Sequence, residues 1–452
     1  MKQPKKENQM PPLPVAYAQS LAPLLKEELQ DFLKSYDQPW QRGLRQNPQK
    51  KPDPGLDAHV DGLLANVPWE KDGLYITLDS KAGLHPLHEA GAYYLQEPSA
   101  MAAVAALAPQ PYECVLDLCA APGGKSTQIA ARMEGKGLLV SNEPVSSRAQ
   151  VLSGNIERMG ISNALVTSET PDRLAKKWPG CFDRILVDAP CSGEGMFRRH
   201  PEARSEWSPM APAGCAKRQL DILRQAAKMV KDGGMLCYST CTFNTIENEG
   251  VVEAFLAEFS EFSLKPFDLS PTLQATSGML HLFPHQVMGE GHFVALMQKD
   301  KGEGNTGTLP TKPLPLPGKS DMEAYHEFCN EAFLEPGPEP TGLFAGRLVH
   351  FPAGLDISGL KVLRAGLHLG EIRGKRFIPD HALAMAVLLP AQSKIIPLNM
   401  AQAEAYLRGE TLEAPEAIRG WAAVSYSGLS LGWGKIADGR VQNHYPKGLR
   451  KG

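Results

Sequence analysis

Two cysteines and an aspartate stand where a folded chain could use them. Asp188 and Cys191 follow the apolar run Ile185-Leu186-Val187 in the segment Asp188-Ala189-Pro190-Cys191-Ser192-Gly193. Cys241 lies 50 positions after Cys191, beyond a second apolar run, in Tyr238-Ser239-Thr240-Cys241-Thr242. Open α/β sheets bind ligands just outside the carboxyl ends of their strands, so all three side chains fall at reactive positions. A buried thiol is ordinarily inert packing, but Cys191 sits in a Pro/Gly turn and Cys241 between threonines. Two thiols at matched strand ends point to covalent chemistry.

A ligand pocket is written in residues 115–127, which read as strand, tight turn and helix start. Gly123 and Gly124 permit close backbone approach, and the unpaired N–H groups of the new helix favour a carboxylate or phosphate. A phosphate-cradling GxxxxGK[ST] loop needs glycine at position 119, where Cys119 stands, and no G-x-G-x-x-G dinucleotide fingerprint is present. S-adenosylmethionine fits better. Its amino-acid part would rest against the turn, and Glu143, 26 positions after Asp117, is placed to accept from its ribose hydroxyls. Otherwise Glu143 is a capping carboxylate. Lys125 is a solvated helix-face residue, or it fixes the loop by pairing with a pocket carboxylate.

A methyl donor beside two thiols suggests methylation of an unreactive ring carbon. Cytosine C5 is a poor nucleophile until a thiolate adds at C6 to make a temporary enamine. A carboxylic acid near N3, the role open to Asp188, would offset the developing charge, and loss of the C5 proton then allows the thiol to leave. The residues alone leave open which thiol attacks. DNA cytosine methyltransferases use the cysteine of a Pro-Cys pair, which would point to Cys191.

The elements that must position these groups alternate regularly. Strands are expected at 114–118, 137–141, 164–167, 184–187, 235–239 and 293–297, with helices at 126–133, 148–159, 213–230 and 249–255. This rhythm builds a Rossmann-like α/β sheet with helices on both faces. Residues 13–36 read as one helix opening a small α/β domain, with a junction near residue 90. The Gly/Pro/Thr/Lys stretch 301–319 reads as a linker. The expected division is 1–90, a catalytic domain at 91–300, a linker at 301–320, a mixed α/β segment at 321–395 and a small β module at 396–452.

Composition narrows the class. A chain of 452 residues exceeds what one core usually spans. No apolar stretch approaches the roughly 18–20 residues needed to span a bilayer, and residues 1–10 lack the apolar core of a signal, so a cytoplasmic protein is expected. Eight cysteines show no CxxC or Cys/His metal spacing, which suits reduced thiols and no metal. A net charge of −3 does not announce a nucleic-acid binder, so attraction to phosphate would come from patches. Candidates are Arg198-Arg199-His200, then Arg373, Lys375 and Arg376, then Lys435, Arg440, Lys447 and Arg450, with Phe377, Trp433 or Tyr445 stacking on bases.

Residues 117–126 (DLCAAPGGKS), 188–195 (DAPCSGEG) and 239–242 (STCT) resemble the Nol/Nop/Sun family of RNA cytosine-5 methyltransferases. The resemblance implies a class I S-adenosylmethionine-dependent methyltransferase core in which Cys241 attacks and Cys191 helps release the product. It also implies a cofactor site lined by Cys119, Ala120, Ala121, Pro122, Gly123, Gly124, Lys125, Glu143 and Asp188, with Arg148 nearby. It leaves the third-strand cofactor contact without a clear match in Thr167-Ser168-Glu169-Thr170-Pro171-Asp172. The flanks, Arg42-Gly43-Leu44-Arg45, residues 93–101 (YYLQEPSAM) and the C-terminal extension, resemble the bacterial RsmF-type branch, which methylates small-subunit (16S) ribosomal RNA. That implies a PUA-like C-terminal module, an RNA-positioning N-terminal domain, and ribosomal RNA or the small subunit as partner, with a monomer expected. The alternatives are the same chemistry on transfer RNA and a non-catalytic ribosome-assembly factor. Asp188, Cys191 and Cys241 speak against the latter, since binding alone needs neither thiol.

Overall fold

A computed structural model describes residues 11–302, 308–351, 354–386, 391–414 and 419–450; the expectation for residues 1–10 lies outside them. In the N-terminal part, β1 (Arg42–Gln46), β2 (Leu63–Asn66), β3 (Gly73–Ile76) and β4 (Tyr93–Leu95) form an antiparallel sheet ordered β2-β3-β1-β4. This sheet takes in residues beyond the junction expected near 90. The helix expected over 13–36 breaks into Val15–Leu25, a 3₁₀ turn and Leu29–Lys34. Lys26, just past Pro23, has a φ of 47° that a continuous helix does not allow.

The central sheet contains β5 (Cys114–Asp117), β6 (Leu138–Asn142), β7 (Ala164–Thr167), β8 (Phe182–Asp188), β9 (Val230–Thr240) and β10 (Phe262–Leu264). A ribbon of β11 (Phe267–Ser270) and β12 (Leu273–Ala275) follows, then β13 (Met279–Leu282) and β14 (His292–Lys299). The order is β10-β14-β9-β8-β5-β6-β7, with β13 also paired to β14. Strands β5 to β9 pair in parallel, and β14 runs antiparallel to β9. These strands read as unbroken apolar runs because both faces are covered. Leu116, Val140 and Val187 enter one core, while Val115, Leu139 and Leu186 enter the other. The chain winds outward through β5, β6 and β7 and returns at β8, so the switch point opens between β5 and β8, where such sheets hold ligands.

The C-terminal strands are β15 (Gly342–Phe344), β16 (Arg347–His350), β17 (Val362–Ala365), β18 (Leu367–Arg373) and β19 (Arg376–Pro379), followed by β20 (Ile395–Leu398), β21 (Leu412–Glu413), β22 (Gly420–Tyr426), β23 (Leu429–Ala437) and β24 (Arg440–Asn443). They form sheets ordered β15-β16-β18-β19 and β20-β22-β23-β24-β21. Strand β17 leaves its neighbours and pairs antiparallel with β7, extending the catalytic sheet. The stretch expected as a linker is also engaged: Thr311 bridges Leu355, and Leu309 and Leu314 pack against the catalytic core. Its composition is linker-like, yet two of its three leucines, Leu309 and Leu314, find apolar surface while Leu316 stays exposed.

Candidate active site

Strand β5 ends at Asp117, whose Oδ2 accepts a 2.7 Å hydrogen bond from Ser126 Oγ. The intervening turn contains a cis Ala121-Pro122 bond and Gly123 at φ 116°, a conformation that favours glycine. The helix Gly124–Met133 begins there with no side chain capping it, so its first N–H groups face the strand ends. A Cβ at Gly124 would lie 3.3 Å from the Tyr94 ring, a tight contact that glycine avoids. From the N-terminal sheet, buried Arg45 braces this turn, donating to Thr127 Oγ1 at 2.6 Å and to the Gly124 carbonyl at 3.3 Å. Arg45 therefore serves as an interdomain support.

The cofactor candidates converge on this turn. Glu143 follows β6, is 3% exposed, accepts from Val145 N at 3.0 Å and pairs with Arg148 at 3.3 Å. Arg148 in turn donates to the Ala121 carbonyl at 3.1 Å. Burial pushes the Asp117 carboxyl up to about 7 and also raises the Cys119 thiol. Asp117 Oδ1 is buried without a partner, and an ammonium such as that of the methionine part of S-adenosylmethionine would supply the missing donor. The donor and acceptor set thus fits the cofactor. Among the described residues, no group of three or more His, Cys, Asp or Glu could hold a metal ion.

At the end of β8, Asp188 Oδ2 accepts from Lys125 Nζ at 2.7 Å and Oδ1 from Ser239 Oγ at 2.8 Å, while His292 Nε2 lies 3.4 Å from Oδ1. Burial alone would raise the Asp188 carboxyl, but Lys125 and His292 outweigh it and hold the group well below the usual carboxylate range. Burial opposes charge on Lys125 too, and Asp188 overcomes it, so Lys125 is held above its ordinary value. The carboxylic acid expected at Asp188 is thus corrected: the group is an ion-paired carboxylate because an ammonium sits beside it. Burial, then Lys125, lowers His292.

The two thiols meet. Cys191 Sγ and Cys241 Sγ lie 3.3 Å apart, too far for a disulfide and within sulfur hydrogen-bond range. The Cys241 contact, then burial, pushes the Cys191 thiol well up. Two buried carboxylates join the loops that carry them. Glu194 accepts from the backbone of Phe243 at 2.8 Å and Asn244 at 3.1 Å, and Glu247 accepts from Ser192 N at 3.0 Å and Gln219 Nε2 at 2.8 Å. Asn244 Nδ2 lies between them, 3.0 Å from Glu194 Oε1 and 2.8 Å from Glu247 Oε1. Gly195 N donates to the Cys241 carbonyl at 2.8 Å.

Sequence reading missed His292, Ser239, Asn244, Glu194 and Glu247. For Ser239 and Glu194 the available signal was their place inside the motifs 239–242 and 188–195, and for His292 a lone polar residue at the head of an apolar run. It also misplaced part of the nucleic-acid surface. Phe377, Trp433 and Tyr445 are buried and cannot stack on bases; Trp433 packs against Phe328 and donates to the Asp380 carbonyl at 3.0 Å. Small modules need large side chains to fill their cores. Arg198 is withdrawn from its expected patch by a buried 2.9 Å pair with Glu290. The unmatched cofactor contact near 167–172 contains Glu169, which accepts from Lys361 N at 2.6 Å and pairs with Arg173 at 3.1 Å. Glu169 thereby anchors the approach to β17.

A switch-point turn, a carboxylate after the second strand and this sheet order define a class I S-adenosylmethionine-dependent methyltransferase. Residues 104–298 match the family described as 16S rRNA methyltransferase RsmB/F. Residues 13–98 match the N-terminal domain of 16S rRNA methyltransferase RsmF, 327–387 the first C-terminal domain of the RsmF rRNA methyltransferase, and 393–451 the RsmF PUA domain. The chain is 30% identical to ribosomal RNA small subunit methyltransferase F of Aliivibrio salmonicida over 448 residues, covering 93% of each. It is 34% identical over 469 residues to the protein of that name from Aeromonas hydrophila, covering 97% of each. A solved methyltransferase homolog from Pyrococcus horikoshii is 25% identical, with a TM-score of 0.53 over 64% of this chain and 100% of that one. The chain belongs to the RsmF-type family of RNA cytosine-5 methyltransferases.

Proposed function

We propose that this enzyme methylates C5 of a cytosine in small-subunit (16S) ribosomal RNA through a covalent adduct between Cys241 and C6. The observation that carries the chemistry is the 3.3 Å pairing of Cys241 with Cys191 beside the Lys125–Asp188 pair. The choice of RNA is supported by the relatives called ribosomal RNA small subunit methyltransferase F. The target base must leave its stack to reach the thiols. Residues 119–125, Glu143, Arg148 and Asp188 would hold S-adenosylmethionine, which supplies an electrophilic methyl group.

The Cys241 thiolate adds to C6, and the electron pair of the C5–C6 double bond moves into the ring. The Asp188 carboxylate accepts from the exocyclic amine, while the Lys125 ammonium offsets the negative charge that develops on the base. After methyl transfer C5 carries one proton too many. Once the Cys241 sulfur is bonded to carbon, Cys191 loses the largest of the influences that raise its thiol, burial remaining. It gives its proton to water, takes the C5 proton as thiolate, and Cys241 leaves to restore the ring.

Bisulfite sequencing of 16S ribosomal RNA from cells with and without the gene tests the target. Loss of one or more methylated cytosines there is expected, and loss confined to transfer RNA would overturn the choice of RNA. Denaturing gels test the chemistry: Cys191→Ala should accumulate a protein–RNA adduct, and Cys241→Ala should form none. An adduct retained in the Cys241 variant would reverse the assignment.

A further inference from the structure

Trp40 lies between the N-terminal helices and β1. Guanidinium groups from two domains converge on its ring: Arg199 Cζ lies 5.2 Å and Arg42 Cζ 5.9 Å from the centroid. These residues line a cavity of about 160 Å³ with Gln41, Gly43, Leu95, Gln96 and Glu97. Of the Arg198-Arg199-His200 run, Arg198 is committed to Glu290. Arg199 is exposed and has no carboxylate within ion-pair distance among the described residues. Arg42 donates to the carbonyls of Leu78 at 2.7 Å and Ser80 at 2.9 Å and forms no ion pair within 4.0 Å among the described residues, although the nearby Asp79 carboxylate feels its charge.

The cavity connects to the reaction centre through neighbours of its lining residues. Gln41 N donates to Glu290 Oε1 at 2.7 Å, and two residues further on His292 faces Asp188. Arg199 follows Cys191 in the same loop region, and the Gln96 side chain lies against Gly124 of the cofactor turn. A space of this size holds one base or one phosphate and is smaller than the roughly 300 Å³ at which drug-sized ligand pockets begin.

We propose that Trp40, Arg42 and Arg199 form a subsite for a single-stranded RNA nucleotide flanking the base to be methylated. Phosphate is attracted by both guanidinium groups, and a base stacks on the outer plane of Arg199, which the indole supports from behind. The subsite rests on the proposed reading of RNA as substrate. Because its members come from both the N-terminal and catalytic domains, the subsite would fix how an RNA strand crosses between them.

The test is steady-state methylation of small-subunit ribosomal RNA by the full chain, wild type against Arg199→Glu, Arg199→Lys and Trp40→Leu. Arg199→Glu should raise KM for RNA about tenfold and lower the salt slope of RNA binding by about one. Its KM for S-adenosylmethionine and its kcat at saturating RNA should hold. Arg199→Lys keeps the charge but loses the flat stacking plane, so it should fall between the two. Trp40→Leu should behave like a milder Arg199→Glu, and its thermal melting separates misfolding from lost binding. An unchanged KM for RNA in Arg199→Glu, in an assay where the wild type methylates, overturns the subsite and leaves the proposed function standing. A wild type that methylates no RNA overturns that function instead.

Discussion

Lys125 and Asp188 make one functional unit, and each sets the ionisation of the other. Lys125→Met should lower kcat/KM about 100-fold, within the range for a group that stabilises transition-state charge. It should also move the acid limb of the pH–rate profile upward. The sign follows from the pair: Lys125 holds the Asp188 carboxyl down, so its removal lets the carboxylate be protonated sooner as pH falls. A limb that stays at the wild-type position would mean that Asp188 does not govern it. The residue types at these strand ends were legible in the sequence because an apolar run ending in a polar residue marks the point where ligands meet a sheet. The partners of Asp188 were not. His292 reaches it because β14 pairs with β9 in the register that sets Phe293 opposite Thr240, a relation no local pattern encodes.

Two sulfurs from loops 50 residues apart share one spot because the loops that carry them are tied to each other. Glu194 and Glu247 take backbone N–H groups from the opposite loop, and Asn244 bridges the two carboxylates. Such buried polar groups are costly when left unpaired and rigid when satisfied. Asn244→Ala should therefore lower unfolding free energy by about 2 kcal/mol, read from urea melts, and an unchanged midpoint would show the bridge to be dispensable. In the sequence this stretch looks like an ordinary polar loop, since hydrogen-bond partners so distant along the chain leave no periodic trace. The strands were easier. Ala164–Thr167 falls where its apolar run predicts, and β8 and β9 extend their expected spans by including polar residues at their ends. The helix Pro171–Lys177, with only Leu174 and Ala175 buried, carries too short an apolar stripe to announce itself.

Across the whole molecule, chain order and spatial order part company. Residues beyond 300 read as separate modules, yet β17 completes the catalytic sheet beside β7. Arg364 on that strand forms a buried ion pair with Glu157 of the helix Ser146–Arg158, the same helix that brings Arg148 to the cofactor turn. Removing one partner of a buried pair leaves the other charge stranded, so Arg364→Leu should cost about 3 kcal/mol in denaturant unfolding. A loss below 1 kcal/mol would show that Glu157 recovers solvent. The four-residue β17 gave no usable sequence signal because its edge partner lies nearly two hundred positions upstream. During synthesis, then, the ribosome releases the methyl-transfer fold before the strand that finishes it. Until the last third of the polypeptide emerges, β7 presents an open row of amides and carbonyls, a surface on which nascent copies could join edge to edge. A gene shortened to its catalytic part would make that transient exposure permanent.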